Sequence, residues 1–198
     1  MHMEFLRPVL LIVMGLPVAG MPARNMQECG MSRSVDRQRP AGDADERVML
    51  SGWLDWQRAT VHLKCAGLSN ENAHHAPLST SPLMSVTAVV SHLRWVEHHW
   101  FEGSFLGQAD VLEPVDPIDQ WQVHGLSLDD LLTEYEQQCV RSRAIVANHD
   151  LDEMEAYVPP GMEALSLRWI VNHLIEETAR HLGHIDLLRE IADGVRGQ

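Results

Sequence analysis

The stretch SLRWIVNHLIEETARHLGHIDLLREIAD, Ser166 to Asp193, decides how the rest of the chain is read. It is long enough for about seven turns of helix. Leu167, Ile170, Val171, Leu174, Ile175, Leu182, Ile185 and Leu188 recur at helical spacing, so one face is set to be buried against other helices. Advancing 100° per residue from Leu174 puts His181 roughly 20° and Glu177 roughly 60° to the same side, inside or at the edge of that apolar arc. An inward carboxylate and imidazole four residues apart require a partner. Glu176 points the other way and reads as an ordinary solvated acid. Ser166 is the expected cap and Gly194 the expected stop.

Working outward, three more helices are predicted. The first starts near Asp43 to Glu46 and continues to about Gly67, with Leu50, Leu54, Val61, Cys65 and Leu68 on its inward stripe. The segment SNENAHHAPLSTSP reads as a loop over the end of a bundle, with His74 and His75 solvated in it. The second helix is expected from about Leu83 to Leu106, carrying Val86, Val89, Val90, Leu93, Val96 and Trp100 on a broad apolar face and His92 at its margin. GQADVLEPVDPIDQWQVHGL, from Gly107 to Leu126, is longer than most links between antiparallel neighbours and predicts a crossover or a lid. The third helix opens at Ser127 with Asp129 and Asp130 in its first turn and ends near Asn148. No stretch alternates like a strand. The fold class is therefore all-α, a four-helix bundle at residues 43–194.

Residues 1–42 are read as a disordered leader or an extension foreign to the domain. Within them 5–23 have the layout of a secretory signal, with Arg7 before an apolar run that proline and glycine interrupt. The expected location is the cytoplasm, with export through that segment as the alternative. A formal net charge of −13, from 28 acidic residues against 15 Lys and Arg, repels phosphate backbones and anionic headgroups, so neither nucleic acid nor a membrane is an expected partner. Cys29, Cys65 and Cys139 form no C-x-x-C pair, which argues against a disulfide framework and a thiolate zinc cage. Cys65 and Cys139 read as small core residues.

The chemistry is expected where the second and fourth helices face each other. His92, Glu177 and His181 can take three corners of a coordination shell, leaving the rest open to water or substrate. Convergence of their ligand atoms to within about 3 to 4 Å of one another would fit a common cation at about 2.1 Å. Spacing alone does not identify such a site, because this composition gives about two acid-x-x-x-His pairs by chance. Two nitrogens and a carboxylate suit zinc, nickel or ferrous iron, with zinc the first choice. His184 is the candidate catalytic residue, able to orient a water or act as acid or base. His99 is placed at the site mouth, and His173 and Arg180 at its flanks. Trp95, Trp100 and Trp169 are assigned to the bundle core, where aromatics at helical spacing are usually buried.

MSVTAVVSHLRWVEHHWF of the second helix and SLRWIVNHLIEETARHLGHIDLLRE of the fourth together resemble the DinB superfamily. The likeness is especially to its branch of small bacterial proteins similar to mycothiol-dependent maleylpyruvate isomerase, and LSGWLDWQRATVHLKCAGL of the first helix looks like the same branch. The resemblance covers about Glu46 to Gly194. It implies a metal-binding four-helix bundle with His92, Glu177 and His181 as ligands, and thiol-dependent transfer to, or isomerisation of, small electrophiles. The cofactors it implies are a divalent metal and a low-molecular-weight thiol such as mycothiol. The isomerase has a further C-terminal domain, whereas only Gly194 to Gln198 follow the last helix here, which counts against maleylpyruvate as the substrate. A hydrolase using metal-bound water, or a non-enzymatic metal- or ligand-binding stress protein, are the alternatives. A homodimer through an exposed helix face is compatible with such a bundle.

Overall fold

The computed structural model describes residues 37–108, 118–123 and 125–197. The expected leader lies outside the described residues except for its last six. Of those, Arg37 and Arg39 lay their guanidinium groups over the Trp56 ring, at 4.1 and 4.9 Å from its centroid.

Each long helix begins where a short polar side chain can cap it. In α1 (Glu46–Cys65), Asp45 accepts from the Val48 amide at 3.0 Å. A short α2 (Asn70–His74), capped by Ser69, occupies what the sequence offered as plain loop. Ser85 caps α3 (Val86–His98), which therefore starts three residues later than the apolar pattern implied. Ser127 and Asp130 form a reciprocal capping box at the head of α4 (Leu128–Asn148). Ser166 caps α5 (Leu167–Asp193), and Gly194 ends it at φ 77°, a left-handed turn that suits glycine. Among the described residues there is no strand, only an isolated bridge between Met154 and Ser166.

The second predicted helix does not continue as an α-helix to Leu106. From His99 to Phe105 it widens into a π-helix, with the Leu106 amide reaching back to the Phe101 carbonyl at 3.1 Å. The end of this turn is held from outside. Ser104 and Phe105 give their carbonyls to the amides of Tyr157 and Ala156, and the Ser104 hydroxyl donates to Glu155.

The helix directions can be read from the ion pairs. Asp55 of α1 meets Arg143 of α4 at 2.8 Å and His62 meets Glu136 at 3.4 Å, so these helices run opposite ways. Arg94 and Glu102 on the second long helix pair in the same order with Glu134 and Arg141 of α4, which makes that pair parallel. Parallel neighbours cannot be joined by a tight turn, so the chain must travel back along the bundle between them. That explains the length of the 107–126 connection, and a 3₁₀ turn at Asp119–Trp121 packs on α3 along the way.

The interior is two apolar clusters with polar side chains between them. One holds Val61, Cys65, Val89, Leu93, Leu131, Tyr135, Ile185 and Leu188, and the other holds Leu54, Val96, Phe101, Phe105, Ile170, Val171 and Leu174. Arg58, Ser142, Thr178 and His181 are buried at sequence positions between the two sets, and Glu97 and Gln138 are buried next to Val96 and Cys139. Cys65 and Cys139 are buried free thiols, and burial pushes the Cys65 thiol up to about 12. Among the described residues no helix is long and apolar enough to cross a membrane.

Candidate metal centre

His92 and His181 are buried and Glu177 is half-buried, and α3 and α5 bring the three together. Glu177 Oε1 stands 3.2 Å from His92 Nε2 and 3.0 Å from His181 Nε2. All three ligand atoms lie within 4.8 Å of one another, a group that could hold a metal ion. Two donor atoms that each sit about 2.1 Å from one cation at tetrahedral or octahedral angles are about 3 to 3.4 Å apart, which matches both edges at Glu177.

The other ring nitrogens sharpen this fit. His92 Nδ1 lies 2.8 Å from Gln120 Oε1, and only an N–H can be satisfied by an amide oxygen. With its proton held on Nδ1, a neutral imidazole would leave Nε2 free to face a cation beside the Glu177 carboxylate. His181 also turns Nε2 on Glu177, and its Nδ1 lies 3.2 Å from His184 Nδ1, a contact in which one ring donates and the other accepts. Positive charge between these atoms, carried by ring protons or by a cation, satisfies both contacts. The histidines hold the Glu177 carboxyl well below the usual carboxylate range, His181 first and His92 second, against the opposing effect of burial. Arg180 Nη1 stands 3.3 Å from Glu177 Oε2, leaving Oε1 to the two imidazoles.

The crossover supplies two residues that periodicity did not point to. Gln120 orients His92. Trp121 stacks on the His92 ring with centroids 4.1 Å apart and planes 10° apart, and also lies 5.7 Å from the His181 ring. The same indole lines a cavity of about 260 Å³ with His74, Pro82, Leu83, Ser85 and Gln122.

The remaining sequence candidates fall into place differently. His184 touches the ring nitrogen of His181 that faces away from Glu177, and burial first, then His181, lowers its pKa. His99 makes its ring contacts with Trp95 and Trp100, not with the three clustered residues. His173 packs against Trp100 and Trp169. Trp169 is not core: it is 44% exposed, and Trp95 and Trp100 are half-buried. His74 is not a solvated loop residue, since its two ring nitrogens lie 2.8 Å from the Asn70 carbonyl and 3.1 Å from that of Leu126.

An all-helical bundle whose facing helices converge two histidines and a glutamate near its middle belongs to the DinB-like class. Within that class the sequence model of the Mycothiol-S-transferase family matches residues 49–194, and the chain belongs to this family of mycothiol-dependent transferases. A search among curated proteins finds no match.

Proposed function

We propose that this chain is a metal-dependent mycothiol S-transferase in which His92, Glu177 and His181 hold one divalent cation, zinc in the first instance. The observation that carries the reading is the approach of two imidazole Nε2 atoms to one carboxylate oxygen, at 3.2 and 3.0 Å, while both Nδ1 atoms are engaged elsewhere. When bound, the cation would supply Lewis-acid charge that keeps a thiol ionised at neutral pH, the form in which sulfur is nucleophilic. Two neutral nitrogens and one carboxylate leave a divalent charge only half cancelled, which favours an anionic sulfur as the next ligand.

The chain's own residues prepare that site. Gln120 keeps the His92 proton on Nδ1, and Arg180 fixes the outer oxygen of Glu177. Trp121 covers one face of the His92 ring against water. His184 acts here as a positioning residue that sets the His181 ring, a different role from the acid or base offered by the sequence. The co-substrate is a small electrophile: a sulfur–carbon bond forms, and the leaving group departs with its bonding pair.

Metal analysis of protein purified without a histidine tag tests the site. The wild type should carry near-stoichiometric metal and the His92→Ala/Glu177→Ala/His181→Ala variant none. Equal contents would end the proposal. Turnover of electrophiles that is indifferent to added mycothiol would instead favour the hydrolytic alternative.

A further inference from the structure

Past the three clustered residues, the contact between the second long helix and α5 continues as a string of rings. Trp95 stacks on His99 with centroids 4.8 Å apart, and His99 meets Trp100 edge-on at 5.7 Å. Trp100 touches Trp169 at 5.6 Å and His173 at 5.1 Å, and Trp169 stacks on His173 at 5.1 Å with planes 24° apart. The pairings of His92 with Glu177 and of Trp100 with His173 show that the two helices run antiparallel, so both carry the string away from the site in one direction. Trp100 is eight residues beyond His92, about 12 Å of helix rise, while His173 and Trp169 precede Glu177 by about 6 and 12 Å.

A bundle gains by burying tryptophan, yet Trp169 is 44% exposed and its neighbours Trp100 and His173 are half-buried. Exposed aromatic surface on the same two helices as a polar site marks ligand contact. The chemistry of this surface narrows the ligand. Among the described residues the one ion pair these rings make is His173 with Glu176 at 3.6 Å, so the surface offers ring faces and imidazole nitrogens in place of a charge cluster. Flat aromatic faces take the C–H faces of saturated rings, and ring nitrogens take hydroxyls. A neutral polyhydroxylated ring meets both demands at once.

We propose that this aromatic string is the sugar subsite for the thiol. The glucosamine and inositol rings of mycothiol lie across Trp169, Trp100 and His173, while the cysteinyl sulfur reaches toward His92, Glu177 and His181. The inference rests on the thiol-transferase reading above and adds to it the surface that distinguishes mycothiol from smaller thiols. The axial distance from Trp169 to Glu177 is one that a cysteinyl arm and two six-membered rings can fill.

Calorimetric titration of the zinc-loaded full chain with mycothiol and with N-acetylcysteine, which lacks the sugars, provides the test. Wild type should bind mycothiol about tenfold tighter than N-acetylcysteine, and Trp169→Ala should erase that preference while leaving N-acetylcysteine affinity alone. Trp169→Phe, which keeps a ring, should retain most of the preference, and thermal melts of both variants establish that they are folded. Equal wild-type affinity for the two thiols, or a Trp169→Ala loss shared by both, overturns the subsite and leaves the transferase reading intact. If neither thiol binds, the transferase reading fails, and S-methyl mycothiol then decides the subsite separately because it has no thiolate to offer. Binding of that probe to wild type, lost in Trp169→Ala, sustains the subsite; no binding ends it.

Discussion

Glu97 and Glu177 are both carboxylates met by nitrogen groups from a neighbouring helix, but only the first is a finished arrangement. Glu97 is 1% exposed and Arg58 2%. Arg58 Nε and Nη2 donate to the two Glu97 oxygens at 2.7 and 2.6 Å, and its remaining arm donates to Asp55 at 2.9 Å. Donors face acceptors throughout, and the charges cancel within the protein. At Glu177 two imidazoles whose Nδ1 atoms are already engaged turn their Nε2 atoms on one oxygen, and the guanidinium at the other oxygen, Arg180, is exposed. A closed pair holds helices together, whereas the second cluster is a group that could hold a metal ion.

The largest expected effect tests the closed side of this contrast. Arg58→Ala leaves Glu97 buried without its counter-charge and should lower stability by about 3 to 5 kcal/mol, measured by urea unfolding, with metal content per folded molecule unchanged. The double replacement Arg58→Met/Glu97→Leu should recover much of that loss, since well-packed apolar side chains can stand in for a buried pair. A cost near that of an ordinary surface substitution for Arg58→Ala would show the pair to be solvated, and the contrast would collapse.

On the open side the effects belong to the metal and not to the fold. Gln120→Leu removes the acceptor that fixes the His92 proton on Nδ1, and should weaken zinc binding about 10- to 100-fold in a competition assay with a chromogenic chelator. Its metal-free melting temperature should stay within a degree or so of wild type, as expected for a half-buried residue outside the apolar clusters. Chelation should lower the melting temperature of wild type and leave the His92→Ala/Glu177→Ala/His181→Ala variant where it is, because only a protein that binds metal in its folded state gains stability from it. A drop of equal size in both would place the chelator's action elsewhere.

How far these two regions could be read from the sequence follows from what periodicity encodes. Glu177 and His181 were legible because they interrupt an apolar arc at a spacing of four, and His92 because it borders the facing arc. Arg58 left a trace too: the stripe Leu54, Val61, Cys65 and Leu68 skips the position where an apolar residue is due, and Arg58 occupies it. Gln120 and Trp121 left none, since their approach depends on α3 and α4 being parallel and on the path of the crossover, neither of which a helical period specifies. The π-helix is hidden for a similar reason, with Gly103 as its only local hint. Trp169 was misread by giving side-chain type precedence over position. Advancing 100° per residue puts it roughly 140° from Leu174, on the solvent side.

The smallest effect comes from following the closed network outward until water takes over. Asp55 shares its Oδ1 between Arg58 and Arg143, Arg143 passes to Glu136 at 2.8 Å, and Glu136 reaches His62 at 3.4 Å. The His62 ring first, and Arg143 after it, lower the Glu136 pKa from 4.5 to about 2 against the contrary effect of burial. A carboxylate whose folded pKa is depressed adds stability that is fully present above its unfolded value and is lost as pH falls toward the folded one. The window here is therefore about pH 4.5 down to about 2. The Glu136 side chain is 35% exposed, so solvent screening reduces the contribution to the scale of a surface pair, about 1 kcal/mol or less. Urea midpoints of wild type and Glu136→Gln should differ modestly at pH 7 and converge through that window. A gap at pH 7 as large as that of Arg58→Ala would mean that the network is as dry at its edge as at its centre, and burial would no longer be what separates its two ends.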